Sequence, residues 1–99
     1  MATITKRHYE VTFILPPALG EEETNNLQNT VQGWITDQGG EIAKVNHWGR
    51  RRLAYPIKNY KEGYYILIEF DATPNIIKDL DRRLRLDTNF LRHLVIKPD

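Results

Sequence analysis

The spacing of apolar residues switches repeatedly between a period of two and a period of about 3.6, and that alternation constrains the fold more than any other feature. From Arg7 to Leu15 the chain is rich in β-branched and aromatic residues, and Tyr9, Val11, Phe13 and Leu15 recur every second position, the pattern of a first strand. Pro16 and Pro17 cannot donate to a ladder and end it. Glu21, Glu22 and Glu23 then stand where a helix N-terminus favours negative charge. Leu27, Val31, Trp34 and Ile35 form one helical stripe, so the spacing predicts a helix from Glu21 to Gln38, with Gly39 and Gly40 as its left-handed stop. Glu41 to Tyr55 reads as a second, extended segment, bent at Gly49 and closed by Pro56. After a turn across Asn59 to Gly63, Tyr64 to Phe70 reads as a third strand, paired with the second as a hairpin. Thr73 and Pro74 have the types of an N-cap and a first helical residue, and Ile77, Leu80 and Leu84 predict a buried stripe on a second helix ending near Leu86. Phe90 to Lys97 is the final strand, ended by Pro98.

The order is therefore βαββαβ. Under the right-handed crossover rule it predicts an α+β ferredoxin-like sandwich: a four-stranded antiparallel sheet with two helices on one face and the other face open. Ninety-nine residues hold one such domain, spanning residues 1–99, and no internal repeat or linker divides it.

Composition narrows the function. The net charge of +1 is uninformative as a total, but its distribution is segregated: Arg50, Arg51 and Arg52 are consecutive, Arg82, Arg83 and Arg85 cluster, Lys6, Arg7 and Arg92 lie toward the ends, and acids gather at Glu21 to Glu23. The absence of cysteine removes any disulfide framework or thiolate metal site and fits a reducing compartment. No apolar run approaches the roughly 20 residues a membrane helix needs, and residues 1–6 carry no export leader, so a cytoplasmic protein without membrane contact is expected.

The material for catalysis is thin. His8, His47 and His93 are far apart and show no short ligand spacing, so neither a metal site nor a cofactor is expected. Small ferredoxin-like enzymes that cleave acyl phosphates carry an arginine in a glycine-containing loop after the first strand. Here that loop is Leu15-Pro-Pro-Ala-Leu-Gly, without arginine, and no nucleotide-binding glycine motif occurs. The chain is expected not to be an enzyme and to have no small-molecule substrate.

What remains is the run Trp48-Gly-Arg-Arg-Arg-Leu-Ala-Tyr55. Guanidinium groups bind phosphates bidentately and stack on bases, and the flanking aromatics add stacking surface, which points to RNA. The competing reading is a solvated strand edge blunted by charge against aggregation. On a strand, Arg50 and Arg52 share one face and Arg51 takes the other, unless the bend at Gly49 rotates them. Arg82 and Arg83 fit a helix C-terminus for its own stability, whereas Arg85 and Arg92 bracket the loop into the last strand, where they are positioned to converge with Arg51 or Arg52. Tyr64 and Tyr65 must point to opposite faces, one to the core and one to the open sheet.

Four segments carry a family resemblance: Arg7-His-Tyr-Glu, Trp48-Gly-Arg-Arg-Arg-Leu-Ala-Tyr-Pro-Ile, Gly63-Tyr-Tyr-Ile and Leu84-Arg-Leu-Asp-Thr-Asn-Phe-Leu-Arg. Together they resemble the family of the sixth protein of the bacterial small ribosomal subunit, over about Arg7 to Lys97. The resemblance implies the same fold, a place in the cytoplasmic ribosome, and binding of the central domain of 16S ribosomal RNA together with the eighteenth small-subunit protein as a heterodimer. It makes Arg51 and Arg52, the family's double arginine, the first candidates for RNA contact, with Arg50, Arg7, Arg85 and Arg92 next. Asn46 and Trp48, just before the bend, and Tyr65 on the open sheet are candidates for the protein partner. Many members continue past the last strand with a tail that lies on the partner. This sequence reaches only Asp99, which takes that contact out of the expectation. The rival reading is a ferredoxin-like self-associating or regulatory module that binds no RNA.

Overall fold

A computed structural model describes residues 6–98. The stretch inspected for a leader, up to residue 5, and Asp99 lie outside the described residues. The elements follow the predicted order: β1 (Arg7–Leu15), α1 (Glu21–Thr36), β2 (Glu41–Ile57), β3 (Tyr60–Ala72), α2 (Pro74–Leu86) and β4 (Arg92–Ile96). The sheet is antiparallel in the order β2-β3-β1-β4, so β1 and β3 are central and β2 is an edge.

The core lies between sheet and helices. Val11, Phe13 and Leu15 of β1 and Ile66, Ile68 and Phe70 of β3 are fully buried against Val31 and Ile35 of α1 and Ile76, Leu80 and Leu84 of α2. Alternate residues of one face of each strand meet the helices, as a period of two requires. Phe13 and Phe90 pack edge to face with ring centroids 5.5 Å apart, a favoured aromatic geometry.

Several boundaries move for physical reasons. Helix α1 ends at Thr36 rather than Gln38. Only Gly39 is left-handed, at φ +93°; a Cβ on Gly40 would lie 2.5 Å from Ile35 Cγ2, so Gly40 is there for space. In α2 the buried stripe starts at Ile76, and Ile77 is half-buried beside it. Phe90 and Leu91 are buried before β4 begins, and the Leu91 amide donates to the Ile14 carbonyl at 2.8 Å.

The hairpin differs most. β2 continues through Pro56, because the ladder is broken between Arg52 and Ile57 and no donor is needed there. The turn is Lys58-Asn59, both with positive φ, a two-residue loop of the primed kind that matches strand twist. Gly63 therefore sits inside β3, where a Cβ would stand 2.3 Å from Ile14 Cγ2. Gly63→Ala is expected to cost about 1–3 kcal/mol, the range for overpacking a closed site, and urea unfolding measures it.

Helix α2 is tied to the turn that follows α1 by Asp79. Its carboxylate accepts from Arg82 at 2.8 Å, Arg83 at 2.7 Å and Gln38 at 2.6 Å. The hydrogen bond from Arg82, then that from Arg83, holds the Asp79 pKa down at about 2. A depressed folded-state value means that this stabilisation is complete above the ordinary carboxylate range and is lost as pH falls toward 2. Thermal midpoints of Asp79→Asn and the unmodified protein are thus expected to differ at pH 5 and to converge near pH 2.

Candidate protein and RNA interface

The sheet face away from the helices carries Ile14 of β1, Tyr65 and Leu67 of β3, Asn46 and Trp48 of β2, and Arg92, Leu94 and Ile96 of β4. Most of these residues line one shallow concavity. Trp48 is 45% exposed, Leu94 61% and Ile96 44%, a concentration of apolar surface unlike scattered exposed leucines. Tyr65 sits on this face beside the small cluster of Ile14, Leu53 and Leu91. Tyr64 turns the other way, packs against the main core and hydrogen-bonds His47 Nδ1 through its hydroxyl at 2.9 Å.

Two irregularities build the edge of this surface. The ladder between β2 and β3 shifts register at His47/Gly49, and Gly49 takes φ +83°. One residue is thereby inserted, which leaves Asn46 opposite Leu67 and Gly49 opposite Tyr65, so Trp48 stands out beside the bend. Beyond the bend the arginines alternate as a strand dictates. Arg51, opposite Gly63, shares the open face, and its guanidinium lies 5.4 Å from the Trp48 ring centroid. Arg50 points to the helix side, donates to the Pro17 carbonyl at 3.0 Å and approaches Glu62 at 3.9 Å. Arg52, opposite Glu62, flanks Pro17 on that same side.

β1 pairs with β3 only as far as Tyr64, so the hairpin from Arg51 round to Gly63 projects from the sandwich and accounts for a long dimension of 50 Å against 26 and 23 Å. Arg92 joins its base, with its guanidinium 5.4 Å from the Tyr55 ring centroid. Such stacking holds a guanidinium in place while leaving its N–H groups free. Arg85 is engaged by Asp81 at 3.3 Å, near Arg92 and Lys58. Arg7, opposite Ala72, lies at the far end of the sheet. The structure thus gathers Arg51, Arg52, Arg92 and Arg85 around one end of the sandwich, turns Arg50 inward and separates Arg7. Among the described residues, Arg51, Arg52 and Arg92 form no ion pair.

Sequence reasoning passed over Leu94, which extends this surface, and took Tyr55 only as stacking surface beside the arginine run. The contact of Tyr55 with Arg92 of β4 is one that only the tertiary fold creates.

The chain contains neither serine nor cysteine, and its histidines are engaged by neighbours: His8 by Asp71 and Glu69, His47 by Tyr64 and Gln28, His93 by Asp81. Fold and surface together define a small ferredoxin-like binding protein, with an apolar sheet face edged by arginines. Comparison with known proteins narrows this. The family model described as Ribosomal protein S6 matches residues 8–97. Small ribosomal subunit protein bS6 of Carboxydothermus hydrogenoformans is 43% identical over 93 residues, covering 94% of this chain and 97% of that protein. The bS6 protein of Streptomyces coelicolor is likewise 43% identical over 93 residues, with the same two coverages. The crystal structure of 30S ribosomal protein S6 from Thermotoga maritima superposes with a TM-score of 0.87 at 33% identity, over 94% of this chain and 88% of that one. The chain belongs to the ribosomal protein S6 family, among ribosomal proteins and not among enzymes. The divalent ion tolerance protein CutA1 of Ehrlichia chaffeensis, at TM-score 0.55 and 12% identity, shares the fold alone.

Proposed function

We propose that the chain is a structural constituent of the small ribosomal subunit that holds the central domain of 16S ribosomal RNA jointly with the eighteenth small-subunit protein. The observation that carries this reading is the adjacency of two unlike surfaces. The open sheet face offers Trp48, Tyr65, Leu67, Leu94 and Ile96 to a protein, and Arg51, Arg52 and Arg92 beside it offer guanidinium groups to phosphates. Since Arg51 lies against Trp48, a protein seated on the sheet also immobilises an RNA-facing arginine, so each ligand favours the other. The work done is positional: the protein lowers the free energy of one arrangement of an RNA junction by neutralising phosphates brought together there.

The test is a titration of a central-domain 16S RNA fragment with the folded protein, alone and with the eighteenth small-subunit protein present. Tight binding is expected only with both proteins, and raising salt should weaken it by a log–log slope of about −0.7 to −0.9 per neutralised phosphate. A folded protein that binds neither the RNA nor the partner, and instead pairs with itself, overturns the proposal in favour of a self-associating module.

A further inference from the structure

The open face is not uniform in charge. At the end remote from the hairpin, Glu10 and Glu69 are directly opposed cross-strand partners on the two central strands. Asp71 follows Glu69 on the same face, opposite His8. Like charges directly opposed across a ladder repel, and here each strand is held between two neighbours, so the backbone cannot part to relieve them.

The neutralisation available within the molecule is incomplete. His8 Nδ1 lies 3.0 Å from Asp71 Oδ1 and His8 Nε2 3.4 Å from Glu69 Oε1. Its imidazole pKa is raised, first by the hydrogen bond to Asp71. Lys6 turns instead to Glu41 at 2.8 Å. A His8 nitrogen and carboxylate oxygens of Glu10 and Glu69 all lie within 4.8 Å of one another, yet among the described residues no hydrogen bond or ion pair forms to Glu10. Lys44 stands opposite Glu69 and the Lys6–Glu41 pair opposite Asp71, yet among the described residues neither lysine bonds to Glu10, Glu69 or Asp71, so His8 alone makes direct contact with these three carboxylates.

These carboxylates adjoin the apolar belt. Glu10 pairs with Ile96 across β1 and β4, and Leu67 lies two residues from Glu69 on the same face of β3. An occupant lying along the belt therefore runs onto the acids. Resting on the reading that a protein covers this face, we infer that the covering segment carries a lysine or arginine whose head sits among Glu10, Glu69 and Asp71, with neighbouring apolar side chains over Leu67, Leu94 and Ile96. A long basic side chain suits the position because its methylene stem lies on apolar surface while its head reaches the carboxylates. The same contact fixes the direction in which the segment crosses the sheet, since its cation must lie at the end away from Arg51 and Arg92.

The experiment uses the double variant Glu10→Gln/Glu69→Gln with the eighteenth small-subunit protein as probe, in EDTA. The free variant is expected to unfold at a higher temperature than the unmodified protein, because the opposed charges are gone. Its partner dissociation constant is expected to rise at least about tenfold, the step that 1.4 kcal/mol makes, with a flatter salt dependence. That opposition of sign separates a docking role from a structural one. Unchanged partner affinity in the folded variant overturns the inference and leaves the proposed function standing. Failure of the unmodified protein to bind the partner overturns both. Binding that requires a divalent ion, and so collapses in EDTA, places a metal among the carboxylates and overturns the inference alone.

Discussion

Changing Arg51 and Arg52 together to alanine is expected to weaken binding of the central-domain RNA, measured with the partner protein present, by about 2–4 kcal/mol, or roughly 30- to 1,000-fold. Both side chains are exposed on the projecting hairpin and, among the described residues, neither is neutralised by an acid, so their charge is available to phosphate. Charge-assisted hydrogen bonds from guanidinium groups are among the stronger polar contacts, and losing two of them removes two phosphate contacts. The log–log salt slope should therefore become shallower by about 1.4–1.8, which a drop caused by misfolding would not reproduce. Arg82→Ala/Arg83→Ala is the matched control. Those arginines are already engaged by Asp79 on α2, unlike Arg51 and Arg52, and their loss should leave RNA affinity within about twofold while removing surface ion pairs worth little individually. If the two double variants lose RNA affinity equally, the hairpin has no privileged role.

The architecture is legible in the sequence because local and tertiary demands coincide in most elements. Val11, Phe13 and Leu15 alternate, and Val31 and Ile35 repeat at helical spacing, since each sits on one surface of one core. Legibility fails where a residue's reason lies in a distant strand. Gly63 resembles a turn glycine, but its neighbour is Ile14, on a strand far back in the sequence that no local signal points to. Pro56 resembles a terminator, yet a bulged edge strand asks no donor of it. The binding surface follows the same division. The alternation that parts Arg51 from Arg50 and Arg52 follows from strand geometry, and the structure keeps it beyond the bend at Gly49. The stacking of Arg92 on Tyr55 and the opposition of Glu10 to Glu69 depend on strand order and register, which periodicity alone does not supply.

The residue that joins the two surfaces is Trp48, and its replacement by alanine gives the second large effect. Partner binding is expected to fall by about 2–4 kcal/mol, the cost of truncating a central aromatic anchor in a desolvated interface, and isothermal titration of the two proteins measures it. Folding should change by less than about 0.5 kcal/mol, because Trp48 is 45% exposed and sits where the ladder is already irregular. RNA binding by the protein alone should shift by less than about threefold, since Arg51 loses a stacking surface worth only about 0.5–1 kcal/mol at an exposed site. The joint complex should nevertheless weaken as much as partner binding does, because the coupling runs through the Trp48–Arg51 contact. Combining Trp48→Ala with Arg51→Ala should therefore cost less than the sum of the single changes, as for residues in contact. Strict additivity would mean that the two surfaces act independently. A loss of RNA affinity without loss of partner affinity would make Trp48 a base-stacking residue and move the protein interface toward Leu94 and Ile96.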